Sequence, residues 1–547
     1  MKRKRQPADT HASHTAEDLA DIFFTASDLA KVHDIYTCHD FLHSYLNTTQ
    51  STPTAVANDD DGNYPPANIS LSSMHNLLAE LYVDEMLADP LHSTKHRELA
   101  VHHSTAALQL WPNNSTAALT LAQLFRENGN LIQALKLYQS VSSRTVPHPE
   151  QSSSNDSKDE EDCGDYNWRR EFIYAPHHMH CVPVAMCNLA VLLSQLGRHE
   201  EADVAIGRIG CTAKIAPEVW QCAHGDEHDS DSSVSVVESP SAAFLYPRAI
   251  PSKHLQQLQN AFLDKQSYWK QNHYEQQPGY FSWWYDVRQR PSNIVEQLIM
   301  NVMMPLVQDQ INGSNMHSSS NSSTGSSSIV GAEWWIHKRP RGKNLGHALH
   351  WDSDERSVNG VGNVRHPEWS SVCYLSGSGG SISSGRTVVF DARVDDMEYP
   401  DKCWVAKPSN NGDVLLFDGE LLHGVLPGRR GGGGGRTGND DTRLTLMVGF
   451  WAVDIHAQTG ERGGAMSLPR MTRSCTWPND LKIQESFEGA FEKSQADSKL
   501  ISCCKPAFVS VENASTHPLT IPSSIQQRFW VKNAGSFREA LFNVNAT

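Results

Sequence analysis

The sequence of 547 residues contains no apolar run that approaches the roughly 20 residues needed for a membrane-spanning helix. Its basic start, MKRKRQPADTHASH, is not followed by the apolar stretch of a secretory signal peptide. The 11 cysteines are scattered and form no Cys-x-x-Cys pair, which argues against a zinc ribbon and favours free thiols in a reducing compartment. These absences predict an intracellular protein, cytoplasmic or nuclear, with neither a signal peptide nor a transmembrane segment.

Basic residues are also in the minority, 46 against 62 acidic ones, and the formal net charge is -16. Because a phosphate backbone attracts basic surfaces, we expect no nonspecific nucleic-acid binding. The stretch Lys2 to Arg5 is either a short nuclear address or, in our preferred interpretation, an ordinary charged tail. The glycine run at 431–435 lacks the lysine, strand and helix of a phosphate-binding loop and is interpreted as a linker.

A repeated pattern in the first half of the chain indicates paired antiparallel helices. "LAQLFRENGNLIQA" begins at Leu121 and "LAVLLSQLGRHEEA" begins at Leu189, an offset of 189 − 121 = 68 residues. Small residues at fixed places let two helices approach closely, and a glycine turns the chain between them. The matching positions are Leu121, Ala122, Gly129 and Ala134 in the first copy, and Leu189, Ala190, Gly197 and Ala202 in the second.

The offset is twice the 34-residue period of tetratricopeptide repeats, and Ala100 lies one such period before Ala134. Residues 73–222 therefore resemble a divergent tetratricopeptide array, with a generic helical bundle as the alternative. Composition divides the rest of this half into a polar segment with one helix at 1–72, an acidic insertion at 146–180 and an acidic linker at 223–241.

From residue 242 onward the pattern changes to two helical stretches followed by short apolar runs with turn residues between them. These runs are "AEWWIHKR", "SSVCYLS", "RTVVFDAR", "DVLLFDG" and "RLTLMVGFW". Short strands separated by turns predict an antiparallel sandwich or barrel. The expected fold class is thus multidomain α + β, an α-helical repeat followed by a β-domain. Residues 455–547 form a C-terminal extension that could complete the outer layer of the β-domain.

Two histidines and one carboxylate fall on the predicted strands. His350 and Asp352 follow the first strand, and two residues apart on an extended chain they point to the same face. His423 follows the strand "DVLLFDG". Two histidines and a carboxylate on β structure form the facial triad of non-haem Fe(II) oxygenases, which leaves other coordination positions open. The tripeptide alone is weak evidence, because His224 and Asp226 repeat it inside the acidic linker.

The late strand "TRLTLMVGFW" contains a charged residue that its periodicity places opposite apolar side chains. Arg443 and Thr445 share one face of this strand, while Leu444, Leu446, Val448 and Phe450 share the other. A buried arginine requires an anion, and its planar fork matches a carboxylate through two hydrogen bonds. The pattern therefore predicts a carboxylate-binding position at Arg443.

The order His-x-Asp, distal histidine, then Arg-x-Thr on a late strand resembles the 2-oxoglutarate- and Fe(II)-dependent dioxygenase superfamily. The resemblance covers about residues 242–454 and implies a double-stranded β-helix (jelly-roll) domain. A closer similarity to the prolyl-4-hydroxylase-like branch rests on "VCYLSGSGGSISSGRTVVF", which contains Tyr374, Gly385 and Thr387. By this resemblance Fe(II) would be bound by His350, Asp352 and His423. The distal carboxylate of 2-oxoglutarate would pair with Arg443 and accept a hydrogen bond from Thr445.

Three features depart from the family pattern. Ser384 replaces the first glycine of the Gly-Gly-x-Thr strand, and prolyl hydroxylases often use a lysine where this chain has Arg443. The expected activity is therefore prolyl-hydroxylase-like, but Arg443 moves the chain away from the core group of those enzymes. The gap between His423 and Arg443 contains "GRRGGGGGRTGNDD", a loop insertion that costs little extra entropy. The arginines inside that loop, at 429, 430 and 436, are poor candidates for binding the cosubstrate.

The sequence thus predicts a dioxygenase that uses Fe(II), 2-oxoglutarate and O2, with ascorbate as a candidate reductant, and that hydroxylates a C–H bond. Helical solenoids present concave surfaces to peptides, so we expect a protein or peptide substrate bound through the repeats. A small-molecule substrate remains open, and the sequence does not indicate an oligomeric state. The competing hypotheses are a tetratricopeptide-type adaptor whose β-domain is inactive and a cupin-like barrel without metal.

Overall fold

The computed structural model describes most of the chain from residue 66 onward, with gaps. The described ranges are 66–88, 93–144, 166–225, 242–264, 267–272, 282–317, 328–339, 346–354, 364–376, 385–394, 396, 398–428, 443–455, 465–483, 501–511 and 530–532, with single positions at 26, 41, 42 and 46. The predicted basic tail, most of the acidic linker and the glycine-rich loop lie outside these residues. The chain divides into two compact units, the first Met1–Arg126 with Asn130–Ala185, the second Glu127–Gly129 with Met186–Thr547.

The first unit is helical in its described part. The helices are α1 Pro66–Ala88, α2 Ser93–Leu110, α3 Ser115–Glu127, α4 Leu131–Ser142 and α5 Tyr166–Gln195. Helices α1 and α2 pack along each other, and Ser72 of α1 donates a 2.7 Å hydrogen bond to the carbonyl of Ala107 in α2. Asn114 precedes α3 and accepts a hydrogen bond from the Ala117 amide, which caps the start of that helix.

The two copies of the repeated pattern have the same local structure. Gly129 lies between α3 and α4, Gly197 lies between α5 and α6 (His199–Arg208), and both have φ of 77°. That left-handed conformation favours glycine because a Cβ would clash with the backbone. The four alanines of the pattern, Ala122, Ala134, Ala190 and Ala202, are fully buried. The helix–turn–helix prediction is confirmed at both places, while the tetratricopeptide assignment stays a prediction.

The structure differs from the predicted boundaries in three places. Helix α5 begins at Tyr166, inside the range 146–180 that was predicted as an acidic insertion. The range 73–222 was predicted to be helical, yet it contains strand β1 (Cys211–Ile215) before α7 (Pro217–His224). The division between the compact units also falls near residue 185 and not at the linker, because β1 pairs with strands from the end of the chain.

The described part of the second unit forms three antiparallel sheets. Besides β1, its strands are β2 Ala243–Tyr246, β3 Trp283–Asp286, β4 Gly331–Arg339, β5 His347–His350, β6 Trp369–Ser376, β7 Thr387–Phe390, β8 Cys403–Ala406, β9 Val414–Asp418, β10 His423–Val425, β11 Arg443–Trp451, β12 Ser502–Cys504, β13 Phe508–Ser510 and β14 Trp530–Lys532. The small sheet has the order β13-β1-β14, the second β12-β8-β7-β10-β5, and the third β2-β9-β6-β11-β4-β3. Successive strands from β4 to β11 are distributed between the two larger sheets, which is consistent with the predicted jelly roll.

Part of the segment after residue 455 belongs to these sheets. Strand β12 pairs with β8 and extends the five-stranded sheet at its edge, with Cys504 opposite Cys403. Strands β13 and β14 pair with the two sides of β1. The predicted C-terminal extension therefore contributes strands β12, β13 and β14 to the sheets of the second unit.

Two apolar cores lie on opposite faces of the six-stranded sheet. The outer core joins Leu444, Leu446, Val448 and Phe450 of β11 to the helices packed on that face. The inner core lies between the two larger sheets, where residues such as Tyr374 and Phe417 meet Val389 and Trp404. The helices of this region are α8 Ser252–Gln259, α9 Ser267–Gln271, α10 Ile294–Leu298 and α11 Met304–His317, with π-helical turns at Asn260–Asp264 and Ile299–Met303 and a 3-10 helix at Trp477–Leu481.

The alternation predicted for β11 is confirmed, since its four apolar side chains face the outer core and its intervening residues face the space between the sheets. Among the described residues, no helix has both the length and the apolar character needed to cross a bilayer.

Candidate functional site

Two of the predicted site residues, His350 and His423, lie directly opposite each other in one sheet. His350 ends β5 and His423 begins β10, and the two are Cα partners in the antiparallel pairing of these strands. Gly424 permits this close pairing, because a Cβ there would lie 2.9 Å from Leu349 Cδ2 and 3.0 Å from the carbonyl oxygen of His347. Asp352 follows β5 by two residues and comes to the same place.

The three side chains converge on a small volume. Asp352 Oδ1 lies 3.7 Å from His350 Nε2 and 3.5 Å from His423 Nε2. The imidazole centroids are 4.4 Å apart. One potential ligand atom from each residue lies within 4.8 Å of the others, and in the described part of the chain this is the only group of three or more such side chains that could hold a metal ion.

Both imidazoles are oriented by their own backbone. Nδ1 of His350 lies 2.9 Å from the Ala348 carbonyl oxygen, and Nδ1 of His423 lies 3.0 Å from the Leu421 carbonyl oxygen. A carbonyl oxygen only accepts, so each Nδ1 must be the protonated nitrogen that donates. In the neutral ring Nε2 then has the lone pair, which is the arrangement that metal-binding histidines require.

The two carboxylate oxygens of Asp352 face different neighbours. Ser370 of β6 donates a 2.7 Å hydrogen bond to Oδ2, and Oδ1 faces the two histidines. Burial would raise the pKa of the Asp352 carboxyl, but His423 and His350 outweigh it and hold that pKa well below its usual range. Burial would lower the pKa of His423, and the neighbouring Asp352 charge instead holds it above the ordinary value. The carboxylate is therefore ionised at neutral pH.

Arg443 and the residues of the predicted prolyl-hydroxylase-like motif form a second cluster. One guanidinium nitrogen of Arg443 donates a 3.0 Å hydrogen bond to the Gly385 carbonyl and another donates a 3.2 Å bond to Thr387 Oγ1. Tyr374 donates a 2.9 Å hydrogen bond to the same Thr387 hydroxyl, and its ring centroid lies 5.5 Å from the guanidinium carbon. These contacts hold the buried guanidinium in one orientation. Burial lowers its pKa, yet an arginine remains charged in proteins.

One cavity joins the two clusters. The space between its walls, including the open solvent at its mouth, is about 550 Å³. All five predicted site residues line it: His350, Asp352, His423, Arg443 and Thr445. Apolar side chains that include Val372, Phe417 and Met447 form another part of the wall. The arrangement offers metal-ligand atoms and a cationic anion-binding group to one bound molecule.

Several lining or supporting residues were not predicted. Ser370 is the main omission, and its only signal was a serine pair before the apolar strand "VCYL". His347 and His337 also line the cavity, with ring centroids 5.8 Å apart, and His347 lies 4.7 Å from His350. Trp334, Trp335 and Trp351 lie in or directly after strands β4 and β5, and of these Trp335 lines the cavity. Trp334 belongs to the outer core, and Trp351 donates a 3.1 Å hydrogen bond to the Ala392 carbonyl.

Comparison with protein-family models and with curated proteins gives no match. Among solved structures the chain is similar to the non-haem α-ketoglutarate-dependent carbocyclase SnoK from nogalamycin biosynthesis, with 10% identity, a TM-score of 0.25, and coverage of 41% of this chain and 84% of that one. A 2OG-Fe(II) oxygenase family oxidoreductase from Burkholderia pseudomallei has 15% identity and a TM-score of 0.18, covering 31% of this chain and 56% of its own. HygX from Streptomyces hygroscopicus, solved with nickel and 2-oxoglutarate bound, has 13% identity, a TM-score of 0.20 and coverages of 39% and 82%.

Proposed function

We propose that this chain is an Fe(II)- and 2-oxoglutarate-dependent dioxygenase that hydroxylates a C–H bond. The observation that supports the proposal most strongly is the convergence of His350, Asp352 and His423 in a cavity that Arg443 and Thr445 also line. Neither cluster alone would favour this chemistry over simple metal or anion binding. Together they suit a molecule that chelates a metal at one end and has a carboxylate at the other.

The donor set fits Fe(II). Two neutral imidazole nitrogens and one carboxylate oxygen on one face are the ligands of non-haem Fe(II) oxygenases, and they leave positions open for a chelating cosubstrate and O2. Ser370 holds Oδ2 of Asp352, so Oδ1 is the oxygen directed at the metal position. When bound, Fe(II), 2-oxoglutarate and O2 supply the oxidation, in which 2-oxoglutarate becomes succinate and CO2 and one oxygen atom enters the substrate C–H bond.

The residues of this chain bind and orient the reactants. Nε2 of His350 and of His423 would hold the metal, while their Nδ1 donors to backbone carbonyls keep the rings in position. Arg443 would pair with the distal carboxylate of 2-oxoglutarate, and Thr445 would donate a hydrogen bond to it. The apolar wall, which includes Phe417 and Met447, excludes water from the cosubstrate and so strengthens that charge pairing.

The first experiment measures succinate formed from 2-oxoglutarate by the purified full chain with Fe(II), ascorbate and O2, without added substrate. We expect uncoupled turnover in the wild type and none in His350→Ala. His102→Ala is the matched control, because His102 is exposed on α2 and should leave turnover unchanged. Equilibrium dialysis with Fe(II) and with 2-oxoglutarate accompanies the assay. A wild type that binds neither would contradict the enzyme and favour the adaptor, or a barrel without metal.

For the substrate we propose a protein or peptide bound through the helical repeats, with a small molecule as the alternative. The support for a prolyl-hydroxylase-like specificity is local. Tyr374, Gly385 and Thr387, which underlie that resemblance, all contact Arg443 or each other. The test adds proline-containing peptides to the succinate assay and compares them with the same peptides in which alanine replaces proline. Stimulation by both sets equally, or by neither, would contradict prolyl specificity.

A further inference from the structure

Two side chains at the ends of helices donate hydrogen bonds to one short backbone segment beside the proposed iron site. Gln195 ends α5, and its Nε2 donates a 2.8 Å hydrogen bond to the Gly428 carbonyl. His224 ends α7, and its Nε2 lies 2.8 Å from the Pro427 carbonyl oxygen. A carbonyl oxygen only accepts, so Nε2 of His224 is the donor. His224 was predicted to lie in the acidic linker, but the structure gives it this defined contact.

We name residues 426–428 the junction segment, because it is next to both strands that contribute iron ligands. It directly follows β10, the strand that begins with His423. It also packs against the start of β5, the strand that ends with His350. A Cβ at Gly346, directly before β5, would lie 2.9 Å from both Cδ and the backbone nitrogen of Pro427. The buried junction segment therefore cannot move without displacing its neighbours.

The junction segment is also connected to the residues that hold Arg443. The amide of Leu426 donates a 2.9 Å hydrogen bond to the Arg386 carbonyl. Arg386 lies between Gly385 and Thr387, whose carbonyl and hydroxyl oxygens accept the two hydrogen bonds from the Arg443 guanidinium. Because peptide units are rigid and planar, a shift of the junction segment would displace both of these acceptors. The orientation of the guanidinium would then change with them.

We propose that Gln195 and His224 are positioning residues for the cosubstrate, which hold the junction segment and thereby keep Arg443 aligned with the distal carboxylate of 2-oxoglutarate. This role depends on the proposed function, because that function assigns the carboxylate to Arg443. Neither Gln195 nor His224 is among the described residues that line the cavity, so both act through the backbone and not by touching a ligand. Substitutions along such packed networks can change a coupled affinity about two- to thirtyfold.

Three variants and one control separate this role from ordinary packing. Gln195→Met keeps a side chain of similar length and removes the donor to Gly428. His224→Leu removes the donor to Pro427, whereas His224→Gln keeps an N–H donor on a side chain of similar reach. Gln257→Met is the matched control, because Nε2 of Gln257 donates a 2.7 Å hydrogen bond to the Lys482 carbonyl on another part of the second unit. Thermal unfolding verifies that each full-length variant is folded.

The measurement is the dissociation constant for 2-oxoglutarate, obtained by equilibrium dialysis with the Co(II)-loaded protein in the absence of O2. We expect it to rise about three- to tenfold in Gln195→Met and in His224→Leu, and to stay at the wild-type value in His224→Gln and Gln257→Met. The affinity for Co(II) should change less. The two imidazoles are held by the pairing of β5 with β10 and by their own backbone carbonyls, which the variants leave in place.

A double-mutant cycle with Arg443→Lys tests whether Gln195 acts through Arg443. If it does, adding Gln195→Met to Arg443→Lys should change the dissociation constant for 2-oxoglutarate by less than about twofold. The same factor in both backgrounds would overturn the proposal, because it would mean that Gln195 acts independently of the guanidinium.

Two further results would overturn it, and they differ in what else they contradict. If wild-type protein binds 2-oxoglutarate, Arg443→Lys weakens that binding, and Gln195→Met and His224→Leu lose only thermal stability, the two bonds support the fold alone and the proposed function stands. If the wild type does not bind 2-oxoglutarate, or Arg443→Lys binds it equally well, both the positioning role and the assignment of the carboxylate to Arg443 are wrong.

Discussion

The hydroxyl of Ser370 donates a 2.7 Å hydrogen bond to Oδ2 of Asp352 and so determines which carboxylate oxygen faces the two histidines. The bond connects the two larger sheets, since Ser370 belongs to β6 of the six-stranded sheet and Asp352 follows β5 of the five-stranded sheet. Supporting residues of this kind orient metal ligands, and their loss commonly lowers metal affinity or activity about 10–100-fold.

Ser370→Ala should therefore weaken Fe(II) binding by about 10–100-fold while leaving the fold intact. The measurement is the dissociation constant for Fe(II), or for a spectroscopically visible substitute such as Co(II), under anaerobic conditions. Ser267→Ala is the matched control, because Ser267 donates a comparable 2.6 Å hydrogen bond to Asp480 far from the triad. Equal metal affinities in the two variants would show that the Ser370 bond does not support the site.

Arg443→Lys should raise the half-saturating concentration of 2-oxoglutarate roughly tenfold or more. A hydrogen bond to a charged group contributes about 1.5–3 kcal/mol, and lysine cannot reproduce the two-pronged geometry of the guanidinium. The assay is the succinate assay over a range of 2-oxoglutarate concentrations, with Fe(II) affinity measured separately and expected to be unchanged.

Tyr374→Phe tests the same binding position with a smaller change than Arg443→Lys. This variant removes only the Tyr374 hydroxyl, which bonds Thr387 beside the guanidinium. It should therefore raise the half-saturating concentration of 2-oxoglutarate by a smaller factor, roughly fivefold. If Arg443→Lys changed metal affinity and left 2-oxoglutarate saturation alone, Arg443 would not be the carboxylate-binding residue.

Gly424→Ala should weaken Fe(II) binding. The loss in binding free energy should exceed the loss in unfolding free energy. The new methyl group would lie 2.9 Å from Leu349 Cδ2 and 3.0 Å from a backbone oxygen, so β10 must move away from β5 and take His423 with it. Gly197→Ala is the control in the same unit, since it has φ of +77° and nothing within 4 Å of the added carbon. That control should cost about 1–2 kcal/mol of unfolding free energy with no change in Fe(II) binding. Parallel losses in both variants would contradict the prediction.

Titration of the Glu333 carboxyl should lower the free energy of unfolding as the pH rises. Burial raises the pKa of this carboxyl to about 7, with Asp352 adding to the shift and the Ser282 hydrogen bond opposing it. Between an ordinary pKa of about 4.3 and about 7 the folded state keeps a proton that the unfolded state releases. Stability is then highest below this window and declines through it, by about 4 kcal/mol at most.

Glu333→Gln removes this titration and keeps the oxygen that accepts from Ser282. Chemical denaturation at pH 5 and at pH 8 should show a smaller decrease in unfolding free energy for the variant than for the wild type. An equal decrease in both proteins would mean that Glu333 titrates near its ordinary value or that the unfolded state holds the same proton.

Much of the β-domain could be predicted because its signals are local. The two-residue period of β11 separates Arg443 and Thr445 from four apolar neighbours, and the structure has this division. The glycines of the helical pattern were equally predictable, because a left-handed turn favours a residue without Cβ. The limits of the helical half were harder to predict. Strand β1 pairs with residues about 300 positions later, and that pairing overrides the local helical context.

The sequence by itself determined which residue types stand at the triad and at Arg443, and which face of each strand they occupy, because backbone geometry repeats over a few residues. Only the tertiary structure decided that His350 pairs with His423 and that Ser370 holds Asp352. These contacts depend on sheet order and register, which arise from burying apolar faces contributed by the whole domain. No spacing within a short segment encodes them.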